Sequence, residues 1–476
     1  MPVTVPSPRG SNSWFPNLAV DSNGIVHIVW CETFTTTNGE LESIYYSAWN
    51  GDAWSQYVDI VSPALNIRRN SLVIDQHDVL HMTYIDSPEG NPYRIGYSSV
   101  EATDAFSAAN WAPVRFLNDR GVSYFSEISS FGDTLHVVYE DTGNASRDCI
   151  QCADMFYRRS MDGGFSWEAP IRLKITETGS SRPHISVDQN GDIFVTWDEG
   201  WDRLTGVGVP QYGVFMYSQD LGVTWSQPME IVYPDNSNSQ MVVESNGQGG
   251  IMLVWRTISP NYPGVYYIWS NDYGQTWTQP ATLASFVSRE VINYFDSYDM
   301  ATDSAGHIHL LATGHLVASE GRRKGPAGLY HFEWDGQRWY PPTQVYHGGL
   351  IPEFPRLVIE RGNQLHTTWF VRYAAFDPRN PSEIMYARGV SGAPMLDPVA
   401  TMTPTAAVED EPGNVFIQPT TTPVPVTTPT LEPMGFVTTE SLYTEFDEYA
   451  VLLLSLLPVS IILVVAIIII RRKQRY

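Results

Sequence analysis

The fold of this chain follows from a short stretch, Ser218-Gln219-Asp220-Leu221-Gly222-Val223-Thr224-Trp225. Its pattern, S-x-D-x-G-x-[ST]-W, recurs at 160–167 and at 270–277. In such a turn the Asp carboxylate can accept backbone N–H bonds, Gly permits a positive φ, and Trp packs apolar surface. A structural role is therefore expected for Ser160, Asp162, Gly164, Trp167, Ser218, Asp220, Gly222, Trp225, Ser270, Asp272, Gly274 and Trp277.

Around these turns the chain repeats a longer unit of an apolar strand, a Gly/Asn/Asp turn and a second strand that often ends in an aromatic residue. The seven copies run over 15–30, 70–84, 125–139, 182–197, 240–255, 299–312 and 354–369. Alternating apolar residues around Asn-Gly-type turns predict a β-hairpin in each copy. A second pair of strands follows each hairpin, for example at 43–47 and 265–269. Four strands per unit predict an all-β fold, a seven-bladed β-propeller with six blades as the alternative.

The seventh unit has a third strand at 383–387 but no fourth strand of its own. The segment Val3-Thr4-Val5-Pro6 stands unused before the first hairpin. A propeller must avoid exposed sheet edges. We therefore expect the N-terminal segment to pair onto the last blade and close the ring.

The predicted propeller covers residues 1–390, and the composition changes after it. Residues 391–449 are rich in Pro and Thr and cannot bury a core, which predicts an extended stalk. Residues 450–470 carry no charge and are long enough to cross a bilayer at about 1.5 Å per residue. The lipid bilayer is therefore an expected partner, contacted through 450–470.

The charges around the predicted span set its expected orientation. A basic tail at 471–476 follows the span, whereas Glu445, Asp447 and Glu448 precede it. This asymmetry predicts a single-pass membrane protein with an extracellular propeller and a cytoplasmic C-terminus. The first residues after Met1 lack the features of a secretory signal. Two routes stay open: a signal upstream of Met1, which we favour, or insertion by the tail with the propeller inside.

Composition excludes some partners. The chain has 52 acidic and 28 basic residues and a net charge of −24, whereas nucleic-acid binding needs clustered Lys and Arg. Cys149 and Cys152 form a lone CxxC pair, which indicates a local disulfide or inert thiols rather than a zinc site, and Cys31 stays unassigned. No metal and no cofactor is expected. Recurrence at one position of the second strands indicates a structural role for His27, His81, His136 and His309.

The S-x-D-x-G-x-[ST]-W turn resembles the Asp-box, or BNR, repeat of sialidases and related propellers. The resemblance covers roughly the first 390 residues, with three full matches at the blade spacing. It implies a sialidase-like propeller in which the Asp boxes are structural and lie on the face opposite the active site. The same turn occurs in many propellers that are not sialidases, so the resemblance alone does not decide the function.

Antiparallel pairing puts the starts of the first strands and the ends of the second strands on one face, around the central channel. One row of aligned positions holds Asn17, Ser71, Glu127, His184, Gln240, Asp299 and Arg356, and a row two residues earlier includes Phe15, Arg69, Phe125, Arg182 and Phe354. The second strands end with residues that include Asp198, Glu199, Arg256 and Arg372. We expect a mouth rich in carboxylates and arginines, with binding candidates Arg69, His184, Asp198, Glu199 and Arg372.

A sialidase of this family needs three arginines for the sugar carboxylate, a Tyr nucleophile activated by Glu, and an Asp acid/base. The catalytic candidates are Arg182, Arg256, Arg356, Glu127, Asp299 and Tyr298. The family's Arg-Ile-Pro near the first blade is absent, and its known sialidases are six-bladed, so the catalytic residues do not transfer one by one.

The sequence thus favours a membrane-anchored, surface-displayed module that binds a glycan or a surface protein through the channel face of its propeller. The alternative is an enzyme, either an exo-α-sialidase or another glycoside hydrolase. A third reading is a structural surface subunit whose channel is merely solvated.

Overall fold

The computed structural model describes residues 2–37, 39–64, 67–87, 93–118, 121–143, 152–175, 178–200, 210–259, 261–289, 298–318, 323–373 and 381–397. The chain forms two compact units, Met1–Ala406 and Ala407–Tyr476, and the described residues belong to the first. Cys149, most of the predicted stalk, the predicted span at 450–470 and the tail at 471–476 lie outside the described residues. Within the described ranges, no helix has both the length and the apolar character needed to span a bilayer.

The secondary structure is almost entirely β. The first thirteen strands in chain order are β1 (Val3–Thr4), β2 (Asn12–Val20), β3 (Val26–Thr36), β4 (Gly39–Trp49), β5 (Val58–Ala64), β6 (Ile67–Ile74), β7 (Val79–Asp86), β8 (Arg94–Glu101), β9 (Arg115–Phe116), β10 (Ser126–Phe131), β11 (Thr134–Asp141), β12 (Asp154–Ser160) and β13 (Ile171–Lys174). Two short 3₁₀ helices, Ala102–Asp104 and Ala108–Asn110, lie between β8 and β9.

The second half of the ring continues the same pattern. Its strands are β14 (Ser180–Val187), β15 (Ile193–Glu199), β16 (Tyr212–Ser218), β17 (Met229–Ile231), β18 (Asn238–Ser245), β19 (Ile251–Thr257), β20 (Gly264–Ser270), β21 (Ala281–Ser288), β22 (Tyr298–Thr302), β23 (Ile308–Val317), β24 (Arg323–Trp334), β25 (Thr343–Tyr346), β26 (Ile351–Glu360), β27 (Gln364–Arg372) and β28 (Glu383–Val390).

The described strands form an all-β propeller with five separate four-stranded blades and one eight-stranded sheet. All seven predicted hairpins are present, from β2–β3 to β26–β27. The prediction of seven separate blades is wrong, because β21 pairs with β20 near its start and with β23 near its end. This double pairing joins the strands of the fifth and sixth repeats in one eight-stranded sheet. The alternative of six blades is not met either, since the described strands form five four-stranded blades and one eight-stranded sheet.

The expected closure by the N-terminal segment is confirmed. Strand β1 pairs antiparallel with β28, with Val3 opposite Tyr386 and Thr4 opposite Met385. The next residue, Val5, is fully buried and donates its N–H to the Ile384 carbonyl at 2.8 Å. The last sheet, ordered β1-β28-β27-β26, therefore takes its outer strand from the start of the chain.

The three S-x-D-x-G-x-[ST]-W turns pack against the preceding repeat through their Trp side chains. In the second of these turns, Asp220 accepts bonds from Ser218 Oγ at 2.8 Å and from the N–H and Oγ1 of Thr224 at 2.8 and 2.6 Å. The same bonds recur around Asp162 and Asp272. The turn aims the Trp225 ring at Tyr157 of the preceding repeat, with 4.9 Å between ring centroids.

Candidate functional site

β-bulges in the first strands position the residues around the channel. In five first strands the pairing skips two residues. The first skipped residue in each case has a positive φ between 49° and 59°, and these residues are Phe15, Arg69, Arg182, Gln240 and Phe354. A bulge bends its strand and re-aims side chains, and non-Gly residues adopt this backbone conformation only where the surrounding structure imposes it. The repeated bulge therefore brings residues of the first strands, among them Arg69, Arg182, Gln240 and Phe354, to the channel.

The structure corrects the alignment at Gln240. The sequence assigns Gln240 to the row of Asn17, but Gln240 occupies the bulge position of Phe15. Val242 takes the Asn17 position, since Val242 pairs with Val254 just as Asn17 pairs with Val29. The other bulges carry Phe-Pro, Arg-Asn or Arg-Pro, and Gln240-Met241 lacks such a marker.

The bulges surround a central cavity that opens to solvent. It is lined by Arg69, Asn70, Phe125, Ser126, Glu127, Arg182, Pro183, His184, Gln240, Met241, Val242, Tyr298, Phe354 and Arg356. Six of the predicted site residues, Arg69, Glu127, Arg182, His184, Tyr298 and Arg356, thus come together from five repeats. Of the proposed arginine triad, Arg182 and Arg356 line the cavity, whereas Arg256 is fully buried behind it.

Arginines and phenylalanines from several repeats lie together at the channel, and we call this set the arginine collar: Arg69, Arg182, Arg356, Phe125 and Phe354, which line the cavity, and Phe15, which contacts Arg69. The Arg69 guanidinium lies 3.9 Å from the Phe125 ring centroid and 5.0 Å from that of Phe15. Arg356 lies 3.8 Å from the Phe354 centroid. Cation–π contacts of this kind hold a guanidinium in place. The collar therefore presents positive charge beside apolar ring surface.

Charged groups form the next layer of the channel. Arg356 Nη2 lies 3.4 Å from Glu127 Oε1, and His184 Nε2 lies 3.5 Å from Asp299 Oδ1. Val243 donates its N–H to His184 Nδ1 at 3.4 Å, which leaves the ring proton on the nitrogen facing Asp299. Burial lowers the pKa of His184, but the charges of Glu127 and Asp299 outweigh burial and leave this pKa raised.

A buried arginine cluster lies behind the cavity. Glu353 pairs with Arg289 and accepts bonds from Arg372 Nη2 at 2.6 Å and Nε at 3.0 Å. Arg256 Nη1 donates to the Arg289 carbonyl at 3.3 Å, and its Nε and Nη2 have no hydrogen-bond partner among the described residues. Burial, with repulsion from Arg289, lowers the pKa of Arg256 to about 10. Sequence reasoning missed Arg289 and Glu353, although Glu353 immediately precedes the Phe354-Pro355 bulge.

Three predicted binding residues act behind the cavity and do not line it. Asp198 is fully buried, lies 3.4 Å from Arg182 Nη1 and accepts the Gln240 N–H at 2.9 Å, so it orients Arg182 and the bulge at Gln240. Glu199 is also fully buried and accepts bonds from Ser180 Oγ and Trp197 Nε1, both at 2.8 Å. Arg372 is held by Glu353.

The recurrent histidines lie inside the blades. The Nδ1 atoms of His27, His81 and His136 lie 2.7, 2.8 and 2.6 Å from third-strand tyrosine hydroxyls, and His309 Nδ1 lies 2.8 Å from His331 Nε2. No group of three or more His, Cys, Asp or Glu residues in the described part of the chain is placed to hold a metal ion. Cys152 is disulfide-bonded, and the buried Cys31 thiol donates to the Ile67 carbonyl at 2.9 Å.

Comparison with known proteins identifies the family. Residues 99–367 match the BNR repeat-like domain, and this match covers more than half of the 476 residues. The chain therefore belongs to the BNR repeat-like domain family. A curated sialidase of Bacteroides fragilis (strain YCH46) is 27% identical over 221 residues. That match covers 40% of this chain and only 38% of the sialidase.

Two solved structures match this chain at low identity. A protein of unknown function from Dyadobacter fermentans DSM 18053 matches with a TM-score of 0.47 and 14% identity, over 81% of this chain and 97% of that one. The Hadza microbial sialidase Hz136 matches with a TM-score of 0.46 and 12% identity, over 82% and 95% of the two chains. Matches at this level carry no information about ligand or reaction.

Proposed function

We propose that the chain is a sialidase-like recognition module that binds a carboxylate-bearing sugar, such as a sialic acid at the end of a glycan, in the central cavity. The arginine collar is the observation that carries the proposal. Guanidinium groups offer paired donors to a carboxylate, and the Phe rings offer apolar surface to the faces of a sugar ring. Asp198, which contacts Arg182, and Glu127, which contacts Arg356, keep these cations in position.

The arrangement around Tyr298 favours binding over hydrolysis. Tyr298 is only 1% exposed, and its hydroxyl donates to the Ser239 carbonyl at 3.4 Å. Arg256 is fully buried, so Arg182, Arg256 and Arg356 do not present one shared surface to a carboxylate. A buried, hydrogen-bonded phenol is poorly placed to attack a sugar carbon.

Hydrolysis by an exo-α-sialidase or another glycoside hydrolase is the second candidate, and one observation favours it. Tyr298 lines the cavity and interacts electrostatically with Arg256, which brings the residue types of a sialidase nucleophile and carboxylate clamp together. The Bacteroides fragilis relative is a sialidase, although the match covers only part of it.

The binding test compares sialyllactose with lactose by titration calorimetry on the full chain in detergent. We expect sialyllactose to bind and lactose to bind at least about tenfold more weakly, because only the former carries the carboxylate. The Arg356→Gln variant should lose about 10- to 100-fold in affinity, since a charge-assisted hydrogen bond contributes about 1.5–3 kcal/mol. The control is Arg338→Gln, whose side chain is 71% exposed outside the cavity. Equal affinity for both sugars contradicts the proposal.

The same preparation tests hydrolysis. Release of the fluorophore from a fluorogenic sialoside by the wild type, but not by Tyr298→Phe, would show that the protein is an enzyme. That result would replace the binding proposal. Bound sialyllactose recovered intact after long incubation would instead support recognition without turnover.

We also propose that residues 450–470 anchor the protein in the membrane, with residues 391–449 as the stalk of an extracellular propeller and residues 471–476 in the cytoplasm. The uncharged span and the acidic-to-basic change across it support this topology. Protease added to intact cells should release the propeller and spare an epitope tag placed after Tyr476. A propeller that stays intact until the cells are lysed would contradict it.

A further inference from the structure

Aromatic rings fill the spaces between neighbouring repeats. In six places a ring from the segment after a third strand packs edge-on against a third-strand ring of the preceding repeat, at centroid distances of 4.9–5.6 Å. The pairs are Trp54–Tyr386, Phe106–Tyr46, Trp167–Tyr97, Trp225–Tyr157, Trp277–Phe215 and Trp339–Tyr267. Each pair seals one interface between repeats.

The seventh interface is different. His331 of β24 occupies the position that Tyr157 has in the third repeat. His331 pairs with Leu311, and Tyr157 pairs with Val138. Leu311 and Val138 are equivalent, since they lie opposite Asp299 and Glu127 in the first strands. Among the described residues, only His309 of the same repeat stacks on His331. No ring from the segment after β28 contacts it within that part of the chain.

The segment after β28 explains the difference. Gly389 is equivalent to Ser160, the first residue of the first Asp-box turn, because Gly389 pairs with Leu365 as Ser160 pairs with Leu135. By the same spacing, Leu396 is equivalent to Trp167 of that turn. Leu396 is 53% exposed and lies elsewhere, with its N–H bonded to the Arg361 carbonyl at 2.8 Å. The place of the aromatic ring is therefore not filled by this segment.

A cavity of about 1540 Å³, part of it open to solvent, lies at this interface. Its lining includes His331, Leu357, Leu365, Thr367 and Val345. Thr367 is only 6% exposed, and its Oγ1 has no hydrogen-bond partner among the described residues. Burial and the neighbouring His309 lower the pKa of His331 to about 4, so its ring is uncharged at neutral pH.

We propose that this cavity is a binding site for a planar aromatic ring of indole size, which packs edge-on against His331 as the aromatic side chains do at the other interfaces. The lining is mixed: Glu333, Arg388 and Gln344 contribute polar groups, while Val345, Leu357 and Leu365 beside His331 offer apolar surface to the faces of such a ring. The buried Thr367 hydroxyl supplies an acceptor for a ring N–H, as a buried polar group requires a partner. This site is distinct from the central cavity and does not depend on what the central cavity binds.

The test is ligand-observed NMR with indole on the full chain, followed by variants that separate fit from folding. Val345→Trp should fill the cavity from β25 and weaken indole at least about tenfold. Ile171→Trp is the matched control, since Ile171 is a 36%-exposed residue of another fourth strand. Thr367→Val keeps the shape and should lower the affinity for indole to that for benzofuran, which lacks the N–H.

Binding must persist in Arg356→Gln, because that variant alters only the central cavity. If N-acetyltryptophanamide binds with higher affinity than indole, the natural ligand is a polypeptide side chain. If indole binds with higher affinity, the natural ligand is a free aromatic compound. No saturable binding to the wild type overturns the proposal. Unchanged indole binding in a Val345→Trp variant whose circular dichroism and melting match the wild type overturns it as well.

Discussion

Glu32 shows at the residue scale how burial controls charge in this ring. Its carboxylate accepts bonds from Ser13 Oγ at 2.9 Å and from Trp30 Nε1 at 2.7 Å. Burial nevertheless raises the pKa of Glu32 to about 7, from 4.5, because the hydrogen bonds only partly offset the loss of water. Glu32 is therefore largely protonated in the folded chain at a pH where the unfolded chain has it ionised.

The raised pKa makes stability depend on pH. Folding favours the protonated form of Glu32, so its contribution is fully present below pH 4.5 and is lost as pH rises through about 7. This shift corresponds to about 3 kcal/mol of unfolding free energy. The Gln side chain of Glu32→Gln does not titrate. Between pH 4.5 and 8 the unfolding free energy of this variant should therefore fall by about 3 kcal/mol less than that of the wild type. Urea unfolding at several pH values checks this, and parallel curves for the two proteins would refute it.

At the scale of elements, the S-x-D-x-G-x-[ST]-W turn couples local hydrogen bonds to packing between repeats. Hydrogen bonds from Thr224 and Ser218 lower the pKa of Asp220 to about 2 and hold the turn closed. Gly222 has φ +83°, and an added Cβ there would lie 2.1 Å from the Tyr157 hydroxyl oxygen. The turn thus delivers the Trp225 ring to Tyr157 through a backbone approach that only glycine allows.

Removing the Trp225 ring should loosen this interface. Trp225→Ala is expected to lower the unfolding free energy by about 2 kcal/mol, less than for a fully buried Trp because the side chain is only partly buried. Phe165→Ala is the control, since Phe165 is 85% exposed on the equivalent turn of the third repeat and should change stability by under about 0.5 kcal/mol. Denaturant titration measures both. Equal losses in the two variants would contradict the prediction, because they would show that packing of the Trp225 ring against Tyr157 does not determine the loss.

At the scale of the whole molecule, a very short strand closes the ring. β1 contributes only Val3 and Thr4 to the last sheet, but Val5 behind it is fully buried in a cluster with Phe15, Phe370 and Ile384. Contacts between residues about 380 positions apart thus join the two ends of the propeller. Closure removes the free edges that an open sheet would expose.

Closure should be sensitive to charge at one position. Val5→Asp is expected to lower the unfolding free energy by about 3 kcal/mol or more, because it buries a carboxylate without a partner. Val3→Asp is the matched control, since Val3 is 41% exposed on the same strand. Thermal unfolding should show a lower melting temperature for Val5→Asp alone. Similar melting of the two variants would mean that the ends are not held together by this cluster.

Local patterns account for what could be predicted of the fold and part of the site. The hairpins and the Asp-box turns depend on residues within a few positions of one another, such as Asp220 and Thr224. They can therefore be predicted from the sequence. The sequence places Glu127, His184 and Arg356 in one row, and the structure agrees, because each pairs with the same position of its second strand. Gln240 was misplaced because a two-residue bulge leaves no mark when its residues lack the repeat's usual types.

The sequence by itself determined the all-β repeat, the structural turns and the closure by the first strand, because each is encoded by neighbouring residues or by a strand left without a partner. Only the tertiary structure decided how β21 joins two repeats, that Arg289 and Glu353 meet behind the cavity, and that no ring among the described residues packs edge-on against His331. These features join residues from different repeats, and their energies come from burial and from distances across the ring. Burial and such distances are set by packing, which a pattern along one chain does not specify.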